Sequence, residues 1–160
     1  MPYQNAAGLG VNNFYGARDT GGAVGAETTN NSENRLSISF TGTSLNDSYL
    51  PPVVIPRGAR VTRYVLRVDE AFTLGGTSPT VIFGGTAPAT NGVVLTQAEL
   101  AAVGTKVPAS TGAGTWSTSS ATGTTAAEKV TKTLGGTTPT VTSGVGKATL
   151  IVEYQHKTKV

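Results

Sequence analysis

The sequence predicts a mainly β fold: an antiparallel β-sandwich or jelly-roll-like domain with one short helix and an extended N-terminal arm. Three observations predict it. Apolar and polar residues alternate strictly in three separated segments, shorter apolar runs are bounded by Gly, Pro, Ser and Thr, and the first 34 residues show no sustained period. With 160 residues the chain has room for one domain with a core plus an appendage. We therefore divide it into an arm, residues 1–34, and a β-sandwich domain, residues 35–160.

The arm is rich in Gly, Ala, Asn and Thr, with Tyr3, Val11, Phe14 and Tyr15 as its scattered large side chains. Fully extended it would reach roughly 110 Å. A disordered tail and an arm that orders on a partner both fit this composition, and the interspersed aromatics speak for the second. From Leu36 the chain alternates: Leu36, Ile38 and Phe40 face one way, Ser37, Ser39 and Thr41 the other. Arg60 to Asp69 does the same, with Tyr64, Leu66 and Val68 opposite Arg63, Val65, Arg67 and Asp69. A charged outer face marks sheets wetted on one side, because buried parallel strands read as continuous apolar runs.

"TLGGTSPTV" at Thr73–Val81 returns sixty residues later as "TLGGTTPTV" at Thr133–Val141. Two glycines that permit positive φ and a proline that imposes an extended approach predict a strand–turn–strand corner in each copy. Internal duplication and two equivalent corners of one sandwich both account for the repeat. A phosphate cradle does not, since the phrase lacks the P-loop spacing and its Lys–Ser/Thr ending, and no helix follows.

The helix is predicted at Thr96–Gly104. Thr96 is the N-cap, Glu99 completes a capping box, Leu95 and Leu100 form a hydrophobic staple, and Gly104 closes the last turn. So short a helix must dock on the sheet, through Leu100 and Val103. Short strands are expected at Thr80–Phe83, Thr115–Thr118, Lys129–Leu134 and Thr140–Val141. A final one in "KATLIVEYQ" points Ala148, Leu150, Val152 and Tyr154 inward and Thr149, Ile151, Glu153 and Gln155 outward.

Charged residues make up only 13% of the chain, about half the usual share, so solubility falls to Thr, Ser, Asn and Gly. The net charge of +3 reflects few carboxylates rather than a basic surface, so no nucleic-acid partner is expected. The N-terminal segment lacks the basic and apolar regions of a signal peptide, and no run approaches the roughly 20 apolar residues of a membrane span, so no membrane partner is expected.

Catalytic groups are sparse. There is no cysteine, and the one histidine, His156, is expected at a solvated strand end with no nucleophile turn to accompany it. Asp69 and Glu70 are adjacent and so point to opposite faces of a strand, unsuited to a glycosidase pair. The remaining carboxylates are scattered, no calcium loop is present, and no catalytic residue, cofactor or metal is assigned.

Arg57, Arg60, Arg63 and Arg67 form the densest cationic stretch, with Arg63 and Arg67 on one strand face. A solvated face with cross-strand partners such as Glu153 is one reading, and docking onto an acidic protein surface is the other, to which the planar guanidinium is suited. Candidate protein-interface residues are Tyr3, Phe14, Tyr15 and Arg18 in the arm with Arg63 and Arg67 in the domain. Trp116, among tiny residues, suits core or corner packing, with an exposed sugar-stacking platform as the functional alternative.

The segment Ile55–Tyr154 resembles small β-rich structural proteins of tailed bacteriophages, especially capsid cement or decoration proteins. The resemblance lies in "IPRGA" (Ile55–Ala59), "EAFTLGGTSPT" (Glu70–Thr80), "LTQAELAAVGT" (Leu95–Thr105), "AAEKV" (Ala126–Val130) and "GKATLIVEY" (Gly146–Tyr154). It implies a non-enzymatic virion protein on the outer surface of the capsid, bound to the major capsid protein and stiffening its shell. Strand edges with few guarding charges favour a symmetric homo-oligomer, and a trimer would suit local three-fold positions. The alternatives are a receptor- or glycan-binding module and another tail or connector component.

Overall fold

The alternating residues after Arg35 form β1 (Glu33–Thr41), whose Ile38 and Phe40 are buried while Arg35, Ser37, Ser39 and Thr41 are exposed. The computed structural model describes residues 33–46, 53–85, 92–120 and 123–156, the side chains of Glu33 and His156 excepted. The predicted arm lies outside the described residues apart from the start of β1.

A turn of helix, α1 (Gly42–Asn46), follows directly. The sequence reading missed it, although its signal is present. Thr41 and Ser44 cap reciprocally, Ser44 N donating to Thr41 Oγ1 at 3.1 Å and Thr41 N to Ser44 Oγ at 2.7 Å. Lys132 Nζ donates to Ser44 O at the far end of the turn.

The long strands are β3 (Ala59–Glu70), β4 (Leu74–Gly84), β8 (Thr131–Val141) and β9 (Lys147–His156). The shorter ones are β2 (Val54–Ile55), β5 (Gly92–Thr96), β6 (Gly104–Lys106) and β7 (Glu128–Lys129). Every pairing is antiparallel. The strands form a four-stranded sheet in the order β1-β9-β3-β6, a three-stranded sheet β5-β4-β8, and a β2-β7 ribbon.

The two larger sheets bury their apolar faces against each other, as a sandwich does. Ile38, Phe40, Tyr64, Leu66, Val68, Leu150 and Val152 come from one side, Val81, Phe83, Val93 and Leu95 from the other. Phe40 is the seam between them, its ring centroid 4.9 Å from Phe83 and 5.4 Å from Phe72. Fully burying a side chain of this size contributes about 1.5–3 kcal/mol.

The repeated phrase overturns its sequence reading. The copies are not corners: Leu74–Val81 of the first lies in β4 and the whole of the second in β8, and they pair with each other. Leu74 stands opposite Val141, Thr77 opposite Thr137 and Val81 opposite Leu134, so the repeat is related to itself by a local two-fold at Thr77 and Thr137. The ladder slips on both sides of Thr77. Gly76 (φ 102°) and Ser78 (φ 49°) in one copy match Gly136 (φ 109°) and Thr138 (φ 48°) in the other. The glycines supply positive φ and also close approach, because the space of a side chain at either one is filled by the other copy's carbonyls.

The predicted helix is α2 (Gln97–Ala101), and its capping box is complete: Glu99 N donates to Thr96 Oγ1 at 3.3 Å and Thr96 N to Glu99 Oε2 at 2.7 Å. Leu95 and Leu100 are both buried. Two details differ. The helix stops at Ala101 because Gly104 (φ 123°) opens β6 rather than closing a turn, and Val103, 65% exposed, does not dock. Glu99 also ties down the chain beyond β6 by accepting from Ala109 N at 2.6 Å.

Burial disfavours the charged form of Glu99, but hydrogen bonds from Thr96 and Ala109 and the nearby Lys106 outweigh it and hold the carboxyl below its ordinary range. A depressed folded-state value means that this stabilisation is full above the ordinary carboxylate range and is lost as pH falls through the folded value. Glu99→Ala is therefore expected to cost about 1 kcal/mol at neutral pH. Urea midpoints of the two proteins should converge on acidification; a gap independent of pH would show that the charge is not what holds the cap.

The expected strand Thr115–Thr118 is instead a single turn of 3-10 helix, Gly114–Trp116. Its one large apolar residue, Trp116, is buried in the core rather than set in a strand pair.

Candidate interaction surface

The outer face of the four-stranded sheet gathers the cationic residues. Register alone sets its rows: Arg35, Glu153 and Arg63 lie across β1, β9 and β3; then Ser37, Ile151 and Val65; then Ser39, Thr149, Arg67 and, on β6, Thr105. Ser39 Oγ and Thr149 Oγ1 are 3.3 Å apart across one of these rows. The face is thus rich in hydroxyls, with Ile151 and Val65 as a half-buried centre.

Arg63 and Arg67 lie on this face as predicted, and the structure adds Arg60. Strict alternation would put Arg60 and Arg63 on opposite sides. The ladder slips between Val61 and Arg63, however, so Thr62 is an extra residue whose Oγ1 donates to Glu153 O at 3.1 Å. Arg60 and Arg63 then both face out and are exposed. A bulge of this kind has no marker in the local sequence. Arg35 was legible, since it has the parity of Ser37 and Ser39.

The expected cross-strand partnership of Glu153 goes to Arg35, whose Nε is 3.1 Å from Glu153 Oε1. Glu153 is only 7% exposed although it points outward, an unusual position for a carboxylate without a partner. Arg67 is neutralised by its own strand, donating from Nε and Nη2 to the two carboxylate oxygens of Asp69 at 2.9 and 3.2 Å. That pairing raises the Arg67 pKa further, by hydrogen bond and by charge. Neither Arg60 nor Arg63 forms a salt bridge among the described residues. The face can therefore receive carboxylates at the Arg60–Arg63 end.

The other predicted interface residues, Tyr3, Phe14, Tyr15 and Arg18, lie outside the described residues. His156 ends β9 as expected, its side chain outside the description. Among the described residues no three His, Asp or Glu side chains are grouped to hold a metal, and no helix is long and apolar enough to cross a membrane.

Trp116 cannot be a sugar platform, because it is completely buried. Its Nε1 donates to Glu128 Oε2 at 2.9 Å, Thr115 Oγ1 donates to Glu128 Oε1 at 3.3 Å, and the Tyr64 hydroxyl donates to Trp116 O. Burial raises the pKa of Tyr64 far above the ordinary phenol value, so it remains a donor. The group is a structural lock between β3, the 3-10 turn and β7.

No protein-family model matches the chain, and no curated protein matches it significantly. Among solved structures it is similar to a chain of the cyanophage Pam1 capsid asymmetric unit, at a TM-score of 0.50 and 20% identity, covering 80% of this chain and 86% of that one. A chain of the acidic stable capsid structure of Helicobacter pylori bacteriophage KHP30 aligns at a TM-score of 0.47 and 16% identity, covering 78% and 89%. At these identities the likeness is one of fold.

Proposed function

We propose that this protein is a non-enzymatic structural component of a phage virion, a cement or decoration protein that binds the major capsid protein on the outside of the shell and stiffens it. The observation that carries this reading is the fold shared with the Pam1 capsid chain over most of both chains. The sheet face bearing Arg60 and Arg63 suits an acidic protein surface, and residues 1–32 supply a leader long enough, if extended, to cross neighbouring subunits. Repetition on a lattice favours such a design, because many modest contacts add up through multivalency. The copies are expected to associate with one another on that lattice.

As an arm separate from the sandwich, residues 1–32 can be deleted with the unfolding free energy expected to stay within about 0.5 kcal/mol of the full chain. Retention on purified shells, read by co-sedimentation, should fall at least tenfold. Equal retention of the two proteins would refute the role given to the arm. Arg60→Gln with Arg63→Gln should weaken retention further and make the remainder less sensitive to salt.

A further inference from the structure

We propose that β1 is a self-association edge, at which a second copy of this chain adds its own β1 antiparallel to form one continuous sheet across a two-fold axis. An exposed strand edge invites pairing, and folds manage the hazard by shortening, bulging or covering it. Among the described residues the other edges carry such devices. β6 has three residues, β2 and β7 two each, and β5 is largely buried. β8 is long, but its ladder slips twice and it holds Gly136 and Thr138 at positive φ.

β1 differs from all of these. It pairs with β9 on one side through nine residues without a slip, contains no proline or glycine, and, among the described residues, occupies the end of its sheet. Its one exposed cation, Arg35, is held back over β9 by Glu153.

The occupant follows from the side chains. With the axis at Ile38, Leu36 stands opposite Phe40 of the second copy and Ile38 opposite its own counterpart on the core face. On the outer face Ser37 meets Ser39 of the second copy and Arg35 meets Thr41. Ile38 and Phe40 are already buried within one copy, so the pairing rests on the backbone ladder and on the outer face, where hydroxyls oppose hydroxyls and no arginine opposes an arginine. Leu36, half-buried at the sheet's end, gains cover. An isologous contact of this kind requires such self-complementarity. It stands on the edge geometry and not on the capsid reading: a dimer in solution and retention on shells are separate measurements.

The test uses the full chain, which contains no cysteine. Single variants Ser37→Cys and Ser39→Cys are mixed under mild oxidation and the disulfide products weighed by mass spectrometry. The inference expects the mixed 37–39 dimer to dominate, since directly opposed residues fall within disulfide reach. A Thr149→Cys variant, one strand inward, should remain monomeric. Homodimers in equal yield, or cross-linking of Thr149→Cys at the same rate, would overturn it.

Sedimentation equilibrium supplies the second arm, at concentrations up to about 1 mM because a single strand pair is below standard interface size. Wild type should show a monomer–dimer equilibrium. Ser37→Lys with Ser39→Lys, which sets lysines opposite each other, should weaken it at least tenfold with an unchanged circular dichroism spectrum. A monomeric wild type, or a dimer indifferent to the lysines, also overturns the proposal.

Discussion

Trp116→Ala is expected to destabilise the domain by about 3–5 kcal/mol, the range for truncating a large buried aromatic. A domain of this size has roughly 5–15 kcal/mol of stability, so one substitution removes a large part of it. The ring is the anchor of a segment, residues 107–120, in which the 3-10 turn is the only regular structure, and it is fully buried. Without it the Glu128 carboxylate also loses the indole donor that it accepts at 2.9 Å. Trp116→Phe separates the two contributions. It keeps most of the apolar area, removes the donor and leaves a smaller void than alanine, so about 1–3 kcal/mol is expected. Urea unfolding followed by far-ultraviolet circular dichroism reads both variants. An alanine variant within 1 kcal/mol of wild type would show that the segment is held by something other than this ring.

The second large effect belongs to the repeated phrase. Gly76→Ala and Gly136→Ala are each expected to cost about 2–3 kcal/mol, combining the penalty of a Cβ at positive φ with overpacking. A Cβ at Gly76 would lie 2.6 Å from Thr138 O and 2.7 Å from Thr137 O; at Gly136 it would lie 2.7 Å from Ser78 O and 2.8 Å from Thr77 O. These obstacles are backbone, which cannot rotate aside. Gly144→Ala is the control: its φ is 77°, but nothing lies within 4 Å, so only the backbone penalty of about 1 kcal/mol should remain. The double substitution should not be additive, since both sites strain the same pair of strands.

The opposite sign is expected next door. Thr138 is a β-branched residue at φ 48°, and Thr138→Asn should stabilise by about 0.5–1 kcal/mol because asparagine tolerates that conformation. Equal melting temperatures for Gly76→Ala and Gly144→Ala would remove the case for close approach of the two copies.

The sheet face mixes what could and could not be read in advance. Arg63 and Arg67 share a side because they are four residues apart in one strand, and Arg35 shares the parity of Ser37 and Ser39. Arg60 joins them only through the extra residue at Thr62, and the exchange of salt-bridge partners, Arg35 rather than Arg63 on Glu153, depends on which neighbour of β9 reaches the carboxylate.

Local order was written in the chain itself. Alternation in Leu36–Thr41, Arg63–Asp69 and Lys147–Gln155 specifies strands and their buried faces because the pleat has a period of two, and Thr96 with Glu99 specifies a helix start because both caps lie within one turn. Tertiary structure decided the rest. It made "TLGGT" a strand that meets its own repeat instead of a corner, buried Trp116, left Val103 in solvent and drew Arg60 to the cationic side. The reason is common to all four: a glycine's missing side chain, an indole's burial, a valine's exposure and a bulge's position are answers to which distant backbone arrives beside them, and no short window of residues contains that neighbour.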